Sequence, residues 1–290
     1  MIVVQLLGGL GNQMFQYAFA RSLSLYYNTS LFYDTKDLSH QNTLHIRRHY
    51  ALHIFDIKAE LLNKSIAIHS SNKLFLIKRM MNTISGKKDL QLISEQKLYY
   101  DFQMPFPKNN CYLQGYWQSP KYFENIEQII REDFKFKHQL SSKALETLLL
   151  IKNSNSVFIH IRRGDYAQNP ETMAYHGLCD LSYYNDAIKV MSEKVKSPTF
   201  FIFSDDAIWV EEKFKCSYPS ILVCKNNFAP EEDLQLMSQC KHAIVANSSF
   251  SWWGAWLVEN KDKFVIAPKK WILNSNMNTD GLFPFSWTRL

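Results

Sequence analysis

The stretch HIRRGDY, residues 160–166, places a histidine, two arginines and an aspartate at the end of the apolar run SVFIH. A guanidinium group stays charged and presents a rigid fork of N–H donors, so it binds phosphate oxygens in pairs. Arg162 and Arg163 at the tip of a buried strand therefore indicate an anion site. A surface loop with an internal Arg–Asp pair gives the same pattern, so the motif needs support from the rest of the chain.

Polar residues also follow three other apolar runs in the second half of the chain. TFFIFS is followed by Asp205 and Asp206, SILVCK ends near Lys225 and Asn226, and AIVAN leads into Asn247, Ser248 and Ser249 before a helix. Parallel sheets bind ligands at the carboxyl ends of their strands. We therefore expect these loops to open on one crevice.

The chemistry of these loops suits a guanine nucleotide diphosphate. Ser248, Ser249 and the free amides of the next helix form an anion site, because a helix N-terminus presents unpaired N–H groups and a positive dipole end. The carboxylate of Asp206 matches the N1–H and amino group of guanine, a pair of donors that adenine lacks. Asp and Ser also favour helix N-caps, so we expect one of the two aspartates to cap the following helix.

The first half contains GGLGNQMFQYA after an apolar run, with Gly9 and Gly11 in a partial GxGxxG pattern whose third position is Met14. One interpretation is a nicotinamide dinucleotide site that uses Asp34, which would make the protein an oxidoreductase. The other is a turn whose glycines let the backbone approach a ligand, with Asn12 and Gln13 as hydrogen-bonding groups.

Short apolar runs alternate with helical stretches, which predicts an α/β fold with parallel sheets covered on both faces. We expect a first βαβ unit in strand 2–7, helix 13–27 and a strand ending at Asp34. In the second half the predicted helices cover residues 181–195, 207–214, 230–240 and 250–258. We place the domains at 1–145 and 146–290, with the polar segment 135–143 between them.

Composition excludes several classes of protein. The 290 residues are 46% hydrophobic and carry a net charge of +6 without a basic block, so nucleic acid is not an expected partner. Five cysteines without a CxxC pair indicate reduced thiols and a cytoplasmic location. The start MIVVQLLGG is typical of a first strand, not of a signal peptide. The segment NKLFLIKRMMNTIS predicts a basic amphipathic helix, either an ordinary surface helix or a peripheral contact with the inner membrane.

Five segments in order, GGLGNQMFQYAFA, GYWQSPKYF, HIRRGDY, FSDD and NSSFSWWGAWL, resemble the bacterial α-1,2-fucosyltransferases of glycosyltransferase family 11. The likeness runs from about residue 2 to residue 272. It implies a GT-B type fold of two facing Rossmann-like domains, with the acceptor on the N-terminal side and GDP-fucose on the C-terminal side. The implied reaction transfers fucose, with inversion, to the 2-hydroxyl of a terminal β-galactoside, as an oligosaccharide or a lipid-linked glycan, in O-antigen or other surface glycan synthesis.

By matched position, the resemblance implies that Arg162 binds the β-phosphate and that Arg163 supports it. It places His160 and Asp206 near guanine, and Ser248 and Ser249 near phosphate. We expect Asp205 and Asn247, which are in the same loops, to bind substrate as well. No DxD motif occurs in the chain, so we expect no metal and no other cofactor; arginines and amides would neutralise the diphosphate instead.

The general base stays open at this point. Asp165 is the carboxylate nearest to the arginines, but their charge would keep it ionised and weaken it as a base. It would then serve to hold an arginine. His176 and Asp180 are weaker candidates. A protein that binds sugars without catalysis is a further alternative, in which Trp117, Trp252, Trp253 and Trp256 stack on sugar rings, although the spacing of the last two favours the core.

Overall fold

The computed structural model describes residues 1–38, 48–63, 67–69, 89–97, 99–100, 106–273 and 278–290. The chain divides into two units, one of residues 1–137 with 279–283, and one of residues 138–278 with 284–290. The passage from the first to the second falls within the polar segment 135–143. A short C-terminal stretch belongs to the first unit.

The first unit is built on a parallel sheet. Within the described residues its strands are β1 (Ile2–Gln5), β2 (Leu31–Asp34), β3 (Glu60–Leu61), β4 (Ala67–His69), β5 (Asp89–Ser94) and β6 (Cys111–Gln114), in the order β3-β2-β1-β6-β5-β4. The described helices of this unit are α1 (Leu10–Tyr26), which connects β1 to β2, and α2 (Glu127–Asp133). β1 is buried along its whole length because it lies in the middle of the sheet.

The second unit repeats this plan. Its described strands are β7 (Asn155–Ile161), β8 (Pro198–Ser204), β9 (Ser220–Leu222), β10 (His242–Ile244), β11 (Val265–Ala267) and β12 (Thr288–Arg289), all parallel in the order β12-β11-β10-β7-β8-β9. The helices are α3 (Ser142–Lys152), α4 (Gly164–Gln168), α5 (Pro170–His176), α6 (Leu181–Lys194), α7 (Ala207–Lys213), α8 (Pro230–Ser238) and α9 (Ser249–Leu257).

Both faces of β7 are covered, as its continuous apolar run predicts. Val157, Ile159 and Ile161 pack with α6 in one hydrophobic cluster. The opposite face meets α9, where the ring of His160 lies 5.6 Å from that of Phe250. The site-bearing end of this strand is thus fixed from both sides.

Helix α9 is almost wholly buried and carries the tryptophans that a sugar-binding protein would have to expose. Trp252 and Trp253 are 0% exposed and Trp256 is 5% exposed. The Lys263 ammonium group donates to the carbonyls of Ala255, Trp256 and Val258 at 2.8–3.0 Å, which satisfies the C-terminal end of α9. Trp117 of the first unit is also 0% exposed. All four tryptophans are core residues, which corrects the sugar-stacking interpretation.

The α/β class with two Rossmann-like units and parallel sheets, the composition of a GT-B fold, is confirmed. The predicted strands and helices of the second half are present, with ends that coincide or differ by at most three residues. Helix α1 begins earlier than predicted, at Leu10, because the Gly9 carbonyl accepts from the amides of Asn12 and Gln13. The predicted basic helix at residues 72–85 lies outside the described residues.

One expectation from composition, that of reduced thiols, also bears on the fold. All five cysteines are free. Among the residues that the structure describes, no helix is long and apolar enough to cross a bilayer.

Candidate active site

Two ion pairs join the ends of β7 and β8. Arg162 Nη1 lies 2.6 Å from Asp205 Oδ2, and Arg163 Nε lies 3.2 Å from Asp206 Oδ2. The pairing agrees with the strand register, because Ile161 and Ser204, the last residues of β7 and β8, are opposite each other, and the two arginines and the two aspartates directly follow them. The structure therefore brings together the four charged residues that the sequence placed in two separate motifs.

Aromatic rings lie against both guanidinium groups. Arg163 lies 4.0 Å from the ring centre of Trp209, and Arg162 lies 5.2 Å from that of Tyr166. Both arginine side chains keep about a fifth of their surface exposed, at 23% and 20%. A cation over an aromatic face is stabilised by the ring quadrupole, and its orientation is restricted. Each arginine is thus fixed by an aspartate and a ring while part of it reaches the surface.

Asp205 also holds the backbone of the arginine loop. Its Oδ1 accepts from the amide of Arg163 at 2.8 Å. A Cβ on Gly164 would come within 2.3 Å of Asp205 Oδ2. A side chain at 164 would displace the Asp205 carboxylate, because the aspartate lies directly against the loop.

Asp206 caps the following helix, as expected for one of the two aspartates. Its Oδ1 accepts from the amide of Trp209 in the first turn of α7 at 3.1 Å, while Oδ2 accepts from Arg163. Both carboxylate oxygens therefore already have partners within the protein. A base contact by Asp206 would have to share one of them.

The residues around the start of α9 have two roles: Asn247 holds neighbouring loops, and Ser248 and Ser249 form the N-terminal end of the helix. Asn247 is 2% exposed, and its Nδ2 donates to the carbonyls of His176, Gly177 and Trp271 at 3.0–3.3 Å. It anchors two neighbouring loops. Ser248 is the N-cap residue of α9, but its side chain makes no capping hydrogen bond, and Ser249 opens the helix half-buried. The start of α9 thus lacks the side-chain cap that would compete with an anion.

His160 lies beneath this helix end. It is 4% exposed, and its Nδ1 is buried without a hydrogen-bond partner among the described residues. Burial lowers the pKa of His160 to about 4; nearby Asp205 opposes this effect and Arg162 adds to it. The imidazole is therefore neutral at physiological pH. His160 is buried at the end of β7. This position fits a role in shaping the site better than direct contact with the guanine base.

The candidates for the general base differ in the contacts that their side chains make. Asp165 lies in α4, and its side chain is outside the described part of the chain. His176 stacks on Tyr166 with ring centres 4.6 Å apart. Asp180 caps α6 by accepting from Tyr183 N, and hydrogen bonds from Tyr183 and Ser182 lower its pKa. A carboxylate stabilised in its charged form by two donors is a weak proton acceptor.

In the first unit the glycine turn starts α1. Gly9 is the N-cap residue, and Gly11, Asn12 and Gln13 are helical. Gln13 is 0% exposed; it donates to the carbonyls of Gly8 and His49 and accepts from the amide of Ala51. The side-chain amide of Gln13 is therefore occupied by hydrogen bonds within the protein. Asn12 is half-buried and accepts from Gln118 Nε2 at 2.8 Å.

Asp34, on which the nicotinamide interpretation depends, is 5% exposed. Its carboxylate accepts from the amide of Lys36 and from the hydroxyl of Tyr112. This carboxylate stabilises the end of β2, which leaves a ribose hydroxyl no open access to it.

Sequence reasoning missed several residues at these edges. Trp209 had a signal, since it stands three residues after Asp206 on the predicted helix. Glu95 had no such signal, because the sequence from 60 to 100 gave no clear pattern.

Two buried carboxyl groups have raised pKa values. Burial raises the pKa of Glu95 to about 7, and two amide hydrogen bonds oppose this. Burial likewise raises the pKa of Asp233, in the first turn of α8, to about 7.

Paired guanidinium groups beside an uncapped helix start, in one of two Rossmann-like units, are features of an enzyme that acts on a phosphorylated substrate. The family model for glycosyl transferase family 11 matches residues 1–290. The chain belongs to this family and is a glycosyltransferase.

Relatives of similar length agree with this assignment. The chain is 35% identical to an alpha-1,2-colitosyltransferase of Escherichia coli, over 100% of this chain and 98% of that protein. It is 32% identical to the O-antigen biosynthesis glycosyltransferase WbnK of Escherichia coli, over 98% of each chain. A galactoside 2-alpha-L-fucosyltransferase, SEC1 of Bos taurus, is 27% identical over 50% of this chain and 41% of its own length. The family thus connects this chain to α-1,2-fucosyltransferases.

Among solved structures, a NodZ alpha-1,6-fucosyltransferase soaked with GDP-fucose aligns with a TM-score of 0.47 and 13% identity, covering 89% of this chain and 92% of that one. POFUT1 in complex with GDP-fucose aligns with a TM-score of 0.48 and 12% identity, covering 88% and 93%.

The buried His160 predicts a specific pH effect on stability. Its pKa of about 4 in the folded state lies below the value near 6.5 of an unfolded histidine. The unfolded chain therefore binds the proton first as pH falls, and folding stability is lost below about pH 6.5. When the pH falls from 7 to 5.5, we expect the free energy of unfolding of wild type to decrease by about 1 kcal/mol more than that of His160→Gln.

Denaturant unfolding of both proteins at the two pH values measures this difference. Carboxyl groups such as Glu95 and Asp233 titrate in both proteins and cancel in the comparison. An equal loss of stability in the two proteins would show that His160 is not held neutral.

Proposed function

We propose that this glycosyltransferase transfers L-fucose from GDP-β-L-fucose to the 2-hydroxyl of a terminal β-galactoside, with inversion at the anomeric carbon. The observation that carries the proposal is the pair of ion pairs Arg162–Asp205 and Arg163–Asp206, which aim two guanidinium groups at the carboxyl edge of the second sheet. β7, which leads into the two arginines, lies beside β10, which leads into α9. Two cations and a helix start thus share one sheet edge, as diphosphate binding requires.

In the proposed reaction the acceptor oxygen attacks the anomeric carbon opposite the diphosphate. The new C–O bond forms as the bond to the β-phosphate oxygen breaks, and the electron pair of that bond leaves with GDP. The acceptor proton passes to a base. Negative charge grows on the departing diphosphate, so donors fixed in advance towards it stabilise the transition state more than the ground state.

Arg162 is the side chain proposed to provide most of this stabilisation. Asp205 holds its guanidinium in place, which lowers the cost of reorganisation at the moment of bond breaking. Arg163 is held by Asp206 and by Trp209, and it supports the same phosphate region.

Colitosyl transfer is the second candidate activity. The relative at 35% identity over the full chain is an α-1,2-colitosyltransferase, so the sugar of the donor is the point at which the two proposals differ. Colitose is 3-deoxy-L-fucose, and the two donors therefore differ only at the 3-hydroxyl. The similarity to an O-antigen biosynthesis enzyme supports a surface glycan as acceptor.

A transfer assay tests the proposal directly. We expect the protein to transfer fucose from GDP-fucose to a panel of terminal β-galactosides, with product linkage at the 2-hydroxyl. Transfer should persist in EDTA, since the proposed neutralising groups are arginines and amides. GDP-colitose in the same assay decides between the two donors.

Transfer from GDP-colitose alone would replace the fucosyl proposal with the colitosyl one. Loss of activity in EDTA that Mg²⁺ or Mn²⁺ restores would contradict the metal-free proposal.

Guanine recognition predicts a selective thermal shift. We expect GDP to raise the melting temperature more than ADP or UDP does, and Asp206→Ala to reduce that difference. The variant also loses the cap of α7, which lowers stability by about 1 kcal/mol. The comparison is therefore made between nucleotides within each protein. Equal shifts by all three nucleotides would refute the guanine site, and an unchanged preference in Asp206→Ala would assign it to other residues.

Removal of the Arg162 guanidinium should affect the transition state most. We predict that Arg162→Ala lowers kcat/KM by about 100-fold or more, with a smaller loss in GDP affinity. Arg162→Lys should recover only part of the loss, because an ammonium group cannot reproduce the paired fork. Lys196→Ala is the matched control. It removes an exposed cation just before the N-terminal end of β8, at the edge of the sheet opposite to the arginines. A folded Arg162→Ala enzyme with near-normal turnover would make HIRRGDY an ordinary surface loop.

A further inference from the structure

The segment from Gly115 to Gln118, part of the motif GYWQSPKYF, has a backbone that must be held in place. Trp117 adopts φ 55°, in the left-handed region, although its side chain is bulky and fully buried. Such a conformation is disfavoured for a bulky residue and persists only where surrounding contacts impose it. The segment lies at the carboxyl end of β6, beside the glycine turn after β1, because β1 and β6 are neighbours.

Glu95 provides the contacts that impose this backbone. It follows β5, and its amide donates to the Gln114 carbonyl at 2.8 Å, which continues the pairing with β6. Its carboxylate accepts from two successive amides, Tyr116 N at 2.7 Å and Trp117 N at 3.1 Å. Hydrogen bonds to a carboxylate are about twice as strong as neutral ones. One side chain thus fixes two consecutive peptide units.

Gly115 completes this arrangement through its lack of a side chain. A Cβ at this position would lie 2.4 Å from the Cβ of Glu95 and 2.9 Å from its Oε2. The glutamate therefore lies directly against the segment that it binds.

The same segment contacts the glycine turn through two side-chain amides. Gln118 Nε2 donates to Asn12 Oδ1 at 2.8 Å, and Gln16 Nε2 donates to the Gly115 carbonyl at 3.1 Å. Glu95 thus acts on Asn12 through the backbone of the segment and through Gln118. Two motifs distant in sequence become one hydrogen-bonded structure.

The chemistry of this edge differs from that of the second unit. Its facing side chains, Asn12 and Gln118, are neutral amides that both donate and accept hydrogen bonds, as a sugar hydroxyl does. The second unit presents arginines, which suit a diphosphate. A hydroxyl-rich ligand matches these two amides. The edge also carries a cation, because Arg48 Nη1 would lie 3.7 Å from a Cβ on Gly9.

We infer that Glu95 is a positioning residue for the acceptor: it holds the 115–118 segment so that Gln118 and Asn12 present their amides to the hydroxyls of a β-galactoside. This inference rests on the proposed function, since it assigns the neutral substrate of that reaction to the first unit.

Glu95→Gln tests the inference with little change in size. It replaces one accepting oxygen with an NH₂ group that faces a backbone N–H. At pH 8, where wild-type Glu95 is ionised, we expect KM for lactose to rise about tenfold, the effect of one lost hydrogen bond to the ligand. KM for GDP-fucose should stay unchanged. Glu124→Gln makes the same change at an exposed site of the first unit and should match wild type.

Gln118→Ala shows whether the effect passes through the segment. It should raise KM for lactose to a similar extent, and the Glu95→Gln/Gln118→Ala double variant should be no worse than either single variant, because both break one chain of contacts. Glu95→Asp keeps the charge but is shorter, and it should recover part of the acceptor affinity.

The two KM values distinguish this role from a merely structural one. A smaller folded fraction lowers the apparent kcat and leaves both KM values unchanged; that result would overturn the inference. A rise in KM for GDP-fucose alone, or additive effects in the double variant, would overturn it as well.

Lactose binding measured by calorimetry, without donor, separates this inference from the proposed reaction. If wild type transfers neither sugar, the proposed function fails, and a loss of lactose affinity in Glu95→Gln still supports the positioning role. If wild type binds no lactose in either assay, the assignment of the acceptor to this edge is overturned.

Discussion

The site of the second unit depends on the register between β7 and β8. Two arginines that follow each other in the chain repel, and each needs an anionic partner to stay in a defined place. With Ile161 opposite Ser204, the residues that follow pair in order, Arg162 with Asp205 and Arg163 with Asp206. A shift of one residue would break both pairs and turn buried side chains of the strand towards the wrong face. The apolar faces of β7 thus determine the geometry of its charged tip.

Pairing the arginines with aspartates reduces their net charge but fixes their direction. A guanidinium group has five N–H donors, more than a single carboxylate contact uses, so an ion pair is compatible with binding a second anion. Fixed direction is what transition-state stabilisation requires, because donors that must reorient during bond breaking contribute less. The start of α9, whose N-cap side chain forms no capping bond, adds oriented amides at the neighbouring strand end.

The sequence predicts the elements of this fold well and the partners of each side chain poorly. Apolar runs such as SVFIH and TFFIFS locate β7 and β8, because burial on both faces leaves a local pattern. The pairing of Arg162 with Asp205 depends on register, which no local pattern contains. The same holds for Glu95, whose partners Tyr116 and Trp117 lie in another strand connection. The segment GGLGN predicts that Gln13 lies at the tip of a turn, but helix α1 begins at Leu10, three residues before the predicted start, and buries Gln13.

Both units use a buried side-chain amide to fix the loops around their polar edge. Gln13 binds Gly8, His49 and Ala51, and Asn247 binds the backbone of three residues on two loops. An amide serves here because one side chain both donates and accepts, and a buried group left without partners would cost about 1–3 kcal/mol. These residues are polar because loop backbone must be satisfied. In each unit the side chain that we propose as a substrate contact is a nearby, less buried one, Asn12 in the first and Arg162 in the second. Its position depends on the buried residues that hold the loops.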